Sequence, residues 1–93
     1  MKIPNEVKIG SHTYKIERIK SIAGTGLGQM IPWELKIKLM KKGDAGDSLI
    51  EEAFLHEIIE AIKNQFQIDL SHYHLTVLSE LLYQTLKTNK LKF

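Results

Sequence analysis

The sequence has no cysteine, only two prolines, a single tryptophan and no apolar stretch of membrane-spanning length. Without cysteine there are no disulfides and no thiolate zinc ribbons, so any metal must be held by His, Asp, Glu or backbone oxygen. No run approaches the roughly 18 to 20 apolar residues of a membrane helix, and Met1-Lys2-Ile3-Pro4-Asn5-Glu6 lacks the apolar core of a signal peptide. A cytoplasmic protein with no membrane partner is the expectation. Little proline, six glycines, 43% hydrophobic and 26% charged residues exclude collagen-like, low-complexity and disordered classes. At 93 residues the chain suits one domain that buries roughly 60 to 65% of its unfolded surface.

The formal net charge of +2 hides an asymmetry along the chain. Residues 1–43 carry nine Lys/Arg against three Glu, residues 44–80 one Lys against eight acids, and residues 81–93 three Lys. An acidic middle on a basic scaffold is the pattern of a cation site set into a surface of opposite sign. The basic part, from Lys2 and Lys8 to Lys41 and Lys42, also fits a nucleic-acid surface. Aromatic interleaving is sparse there, so nucleic acid ranks last among the partners.

Hydrophobic period divides the chain into a sheet half (1–43), a two-helix half (47–87) and a frayed tail (88–93). Val7 and Ile9 alternate with Lys8, Gly10-Ser11 makes a two-residue turn, and Tyr14 and Ile16 alternate with Lys15 and Glu17, the pattern of a β-hairpin. Gly24, Gly26 and Gly28 form a loop or bent strand start. The triplet resembles a phosphate-cradling loop only superficially, because a strand follows it where a helix is needed. A second hairpin runs from Gly28 to Ile31, turns at Pro32 and continues through Trp33 to Leu39, with Leu35, Ile37 and Leu39 on one face and Trp33 packed in the hairpin. Ser48 and Glu51 have capping-box spacing before a helix from about Leu49 to Phe66. Ser71 caps a second helix to about Lys87, whose apolar face reads Leu75, Leu78, Leu81, Leu82 and Leu86. The order predicts an α+β fold: a small antiparallel sheet of two β-hairpins followed by two helices packed on one face.

The chemistry concentrates in Leu55-His56-Glu57-Ile58-Ile59-Glu60-Ala61-Ile62. On a helix His56 and Glu60 lie about 40° apart, one turn from each other, so both can meet one ion. This is the geometry of the His-Glu-x-x-His zinc motif with Glu60 as the second ligand. Glu57, next to the first ligand, would keep the role of general base. A third protein ligand is needed, and His72 and His74 at the start of the second helix are the candidates. They differ by about 200° on a helix, so only one can face the ion. His72 is preferred because the positive end of the helix disfavours imidazolium and favours a neutral ligand; His74 is the alternative. The set His56, Glu60 and His72 is a two-His, one-carboxylate shell for zinc, with manganese or iron admissible because of the extra oxygen donor. Asp69, Ser71 and His72 have the residue types of a hydrolase triad but are crowded at a helix cap and read as turn and capping residues. Tyr73 and Tyr83 read as partial core residues, either of which would serve as an oxyanion donor if it bordered the cleft.

Ile3-Pro4, Val7-Lys8-Ile9-Gly10, Tyr14, Gly28-Gln29, the Leu55–Ile62 segment and Leu82-Tyr83-Gln84-Thr85-Leu86 together resemble a group of small phage- and prophage-encoded zincin-like proteins, probable metallopeptidases. The resemblance covers Ile3 to Leu86 and departs from the family pattern at Glu60, where many relatives carry His. It implies a minimal zincin-like fold, zinc at His56, Glu60 and His72, and Glu57 as catalytic base. It also implies a peptide or protein substrate lying along an edge strand, and a bacterial cytoplasmic setting. A non-catalytic interaction domain that keeps this fold without the chemistry is the competing expectation.

Overall fold

The computed structural model describes residues 2–20, 26–41 and 47–91. The expected glycine-rich bend and the 41–47 linker fall largely outside these residues. Four strands, β1 (Glu6–Ile9), β2 (His12–Ile19), β3 (Gly28–Ile31) and β4 (Lys36–Met40), are followed by two helices, α1 (Asp47–Phe66) and α2 (His72–Thr88). The fold is α+β.

The first hairpin forms as its alternation requires. Ile9 pairs with His12 and Val7 with Tyr14, leaving Gly10 and Ser11 as the turn. Gly10 sits at φ +60°, in the left-handed region that favours glycine, and a Cβ there would run into the Gln65 side chain. The second pair is also antiparallel, with Gly28 opposite Leu39 and Met30 opposite Ile37.

The two hairpins meet in a way alternation does not reveal. Strand order is β1-β2-β4-β3, and β2 runs parallel to β4, so the sheet is mixed rather than wholly antiparallel. β4 inserts between β2 and β3, which pushes β3 to the edge. Arg18 ties this junction, its guanidinium donating to the Met40 carbonyl from Nε (3.3 Å) and Nη2 (3.1 Å).

The turn of the second hairpin is longer than expected. Pro32–Glu34 form a 3₁₀ turn with Pro at its start, and Leu35 adopts a left-handed conformation at φ 50°. Leu35 therefore leaves the strand it was assigned to. Trp33 does not pack in the hairpin; at 82% exposure it projects into solvent.

One face of the sheet is covered by α1, which lies across β3 and β4. Ile37 and Leu39 are fully buried there, while Lys36 and Lys38 alternate to the other face. Lys36 pairs with Glu17 (3.0 Å) and Glu34 (3.5 Å), so acids interleave the basic residues of that face. Ile9, Tyr14, Ile37, Leu39, Ala53, Phe54 and Ala61 form the core cluster. Each large apolar side chain buried there contributes roughly 1.5–3 kcal/mol relative to exposure.

α1 starts at Asp47, so Ser48 lies inside the first turn instead of capping it. Glu51, assigned to the same capping box, is buried and accepts a 2.7 Å hydrogen bond from the Tyr83 hydroxyl, with Lys87 at 3.5 Å. Ser71 caps α2 as expected, its hydroxyl accepting from the His74 N–H at 3.1 Å. The inward face of α2 is not the predicted leucine stripe. Leu75 and Ser79 are the buried positions, and Leu78, Leu81 and Leu82 are exposed, as are Tyr73 and Val77. No helix among the described residues is long and apolar enough to cross a membrane.

Candidate metal centre

α1 is straight helix through residues 56–60, so the four-residue spacing translates directly into a shared face. α2 then crosses α1 with its first turn beside that face. One ligand atom each from His56, Glu60 and His72 lies within 4.8 Å of the others, a group that could hold a metal ion. The His56 and His72 rings approach edge to face, their centroids 5.5 Å apart. His74 stands outside this group, exposed and beside Tyr73, with its backbone engaged in the α2 cap.

Burial grades across the site. His56 and Glu60 are half-buried and His72 is exposed, which leaves one side open to solvent. Burial lowers the His56 pKa from the ordinary imidazole value, an effect opposed by the Glu60 and Glu52 carboxylates and reinforced by His72. A neutral imidazole is the form that ligates metal. Two imidazoles and one carboxylate, with an open side, form a donor set suited to a divalent cation that must keep a position for a further ligand.

Glu57 is the buried member of the cluster, on the wall of the cleft that His56 and His72 also line. It is 9% exposed, and burial, with Glu60 and Glu52 adding, pushes its pKa up to about 7 against the lowering effect of a hydrogen bond from the Met30 backbone. Its carboxylate nestles under Gly28 of β3, where a Cβ would come within 2.9 Å of Glu57 Cγ and 3.1 Å of Leu39 Cδ2. Glycine at this position is what allows the strand and the carboxylate to touch. An open cleft of about 390 Å³ is lined by Leu27, Gly28, Glu52, His56, Glu57 and His72, among others. The edge strand β3 forms one wall of this cleft and the crossing of α1 and α2 forms the other.

The sequence did not single out the residues behind His56. Ser79, fully buried on α2, places its Oγ 3.2 Å from Glu52 Oε1, 3.0 Å from the Thr76 carbonyl oxygen and 3.5 Å from His56 Nδ1. The helical period marks only the face of Ser79, since Leu75, Ser79, Tyr83 and Leu86 form an i, i+4 and i+3 stripe; its contact with His56 and Glu52 is not written there. Neither tyrosine is among the residues that line the cleft. Tyr73 is 71% exposed, and the Tyr83 hydroxyl is committed to Glu51 with its pKa raised to about 12 by burial and that carboxylate. Compared with protein-family models, with curated proteins and with solved structures, the chain matches none.

Proposed function

We propose that the protein is a zincin-like, metal-dependent hydrolase of the peptidase type, in which His56, Glu60 and His72 hold zinc and Glu57 is the general base. The observation that supports it is the convergence of His56, Glu60 and His72 from two helices, two of which, His56 and His72, line an open cleft together with the buried Glu57 carboxylate. A divalent cation, when bound, supplies Lewis acidity toward a carbonyl oxygen and toward water. The chain's own groups do the rest. Glu57 takes the proton of the attacking water and returns it to the leaving amine as the peptide C–N bond breaks. The Met30 N–H fixes the carboxylate's orientation. β3 is an edge strand, and an extended peptide adds beside it through the backbone groups that Glu57 does not engage, which brings its carbonyl over the cleft. On this reading the protein works in the cytoplasm of a bacterial host and is phage- or prophage-encoded.

The test is metal analysis of protein purified without chelator or metal-affinity tag, followed by hydrolysis of a fluorogenic peptide library. Stoichiometric zinc, its loss in His56→Ala, and a Glu57→Gln variant that keeps zinc but loses at least about 100-fold in turnover are expected. Absence of zinc together with a melting temperature indifferent to added zinc would overturn the reading.

A second reading, a non-catalytic interaction domain, is favoured by one observation: Val77, Leu78, Leu81 and Leu82 of α2 are each more than one third exposed. It predicts that His56→Ala and Glu57→Gln leave biological activity intact and that Leu81→Glu abolishes it.

A further inference from the structure

A buried serine where two helices pack together needs a reason, because an unsatisfied hydroxyl there costs roughly 1–3 kcal/mol. Ser79 is fully buried, and its three polar neighbours differ in what they can do. The Glu52 carboxylate and the Thr76 carbonyl can only accept. The hydroxyl has one proton, so whichever of these two it serves, it has none left for His56 Nδ1. A hydrogen bond between Ser79 and His56 therefore requires that the imidazole be the donor. Nδ1 then carries the ring proton, and Nε2 keeps its lone pair.

We propose that Ser79 is a positioning residue of the metal centre, the middle of a chain in which His56 Nδ1–H donates to Ser79 Oγ and Ser79 O–H donates to Glu52 Oε1. The chain sets the His56 tautomer and ring orientation before any ion arrives. A free neutral imidazole favours the opposite tautomer, so without Ser79 part of the ligand population would present a protonated Nε2 to the site. The remote carboxylate also makes the imidazole a stronger donor, as carboxylate partners of ligating histidines do generally. Glu52 reaches this position because it precedes His56 by one helical turn, and Ser79 because α2 crosses α1 at that turn. The geometry of the chain stands on its own; its role in metal binding rests on the reading of the site given above.

Two measurements separate these layers. Long-range ¹H–¹⁵N correlation spectra of the metal-free protein at pH 8 report each histidine tautomer. His56 is expected as the Nδ1–H form, and Ser79→Ala is expected to return it to a mixture dominated by Nε2–H. An Nε2–H form in the unmutated protein, or a tautomer unchanged by Ser79→Ala, overturns the proposal whether or not the protein binds metal. Competitive zinc titration is the second measurement, with folding of each variant checked by circular dichroism. Ser79→Ala should weaken zinc affinity about 10- to 100-fold, and Ser79→Thr, which keeps the hydroxyl, should restore most of it. Equal affinity in Ser79→Ala and the unmutated protein overturns the positioning role. If the unmutated protein binds no zinc, the metal reading fails, and the tautomer alone decides the hydrogen-bond chain.

Discussion

Glu51 is a buried carboxylate held by several groups, among them the Tyr83 hydroxyl at 2.7 Å and the Lys87 ammonium at 3.5 Å. It is 8% exposed, and although burial opposes its ionisation, the Tyr83 hydroxyl and the Lys87 ammonium are among the groups that hold its pKa below the usual carboxylate value. A depressed pKa means that the native state favours the charged form, so its stabilising effect is complete above about pH 4.5 and fades as the pH falls through the lower native value. Tyr83→Phe is therefore expected to cost about 1.5–3 kcal/mol at pH 7, measured by urea unfolding, and distinctly less at pH 3. Gly28 makes a second case. Adding a methyl group there would force Glu57 and Leu39 apart, since neither the strand nor the buried leucine has room to yield. Gly28→Ala should cost about 1–3 kcal/mol; if the proposed function holds, it should also reduce peptide turnover more than metal affinity, because it displaces the proposed base and leaves the candidate ligands alone. At this scale the sequence was most legible where helical geometry acts by itself: the grouping of His56 with Glu60 follows from about 100° per residue, and His72 was preferred to His74 from its place at the positive end of α2, where the structure brings it beside them. Ser79 and Glu52 were not legible, because their roles exist only where two helices cross.

Between elements, the same limit recurs. The alternation at 7–16 and 28–39 marks strands and faces, and the Gly10-Ser11 turn fixes the first register. Alternation carries no information about which strand lies beside which, so the insertion of β4 between β2 and β3 had to come from the structure. Trp33 and Leu35 fit a strand period by accident of composition, whereas Pro32 and the left-handed Leu35 impose a 3₁₀ turn. On α2 five leucines suggest one face, yet α1 covers only the side bearing Leu75 and Ser79. The two kinds of leucine should separate cleanly in chemical denaturation. Leu75→Ala removes a fully buried side chain and should cost about 2–5 kcal/mol, while Leu81→Ala, at 57% exposure, should stay within about 0.5 kcal/mol.

For the molecule as a whole, the candidate centre adds to a seam between α1 and α2 that Leu75, the Ser79–Glu52 contact and the Tyr83 and Lys87 contacts with Glu51 already hold. Two of its ligands come from α1 and one from α2, so an ion that binds only the folded arrangement stabilises the contact between them. If the proposed zinc binding holds, zinc at about 100 times its dissociation constant should add about 2.7 kcal/mol, which for a domain of this size raises the melting temperature by roughly 10–20 °C. Differential scanning fluorimetry with zinc and then with excess chelator checks both the rise and its reversal, and His72→Ala should lose most of it. The position of α2 has a further consequence, read in time rather than in energy. Because α2 packs chiefly on α1 and lies outside the sheet, its amides should exchange with deuterium through local opening before those of β2 and β4 at the sheet centre. An ion held in part by His72 should slow exchange in α2 while leaving β2 and β4 almost unchanged.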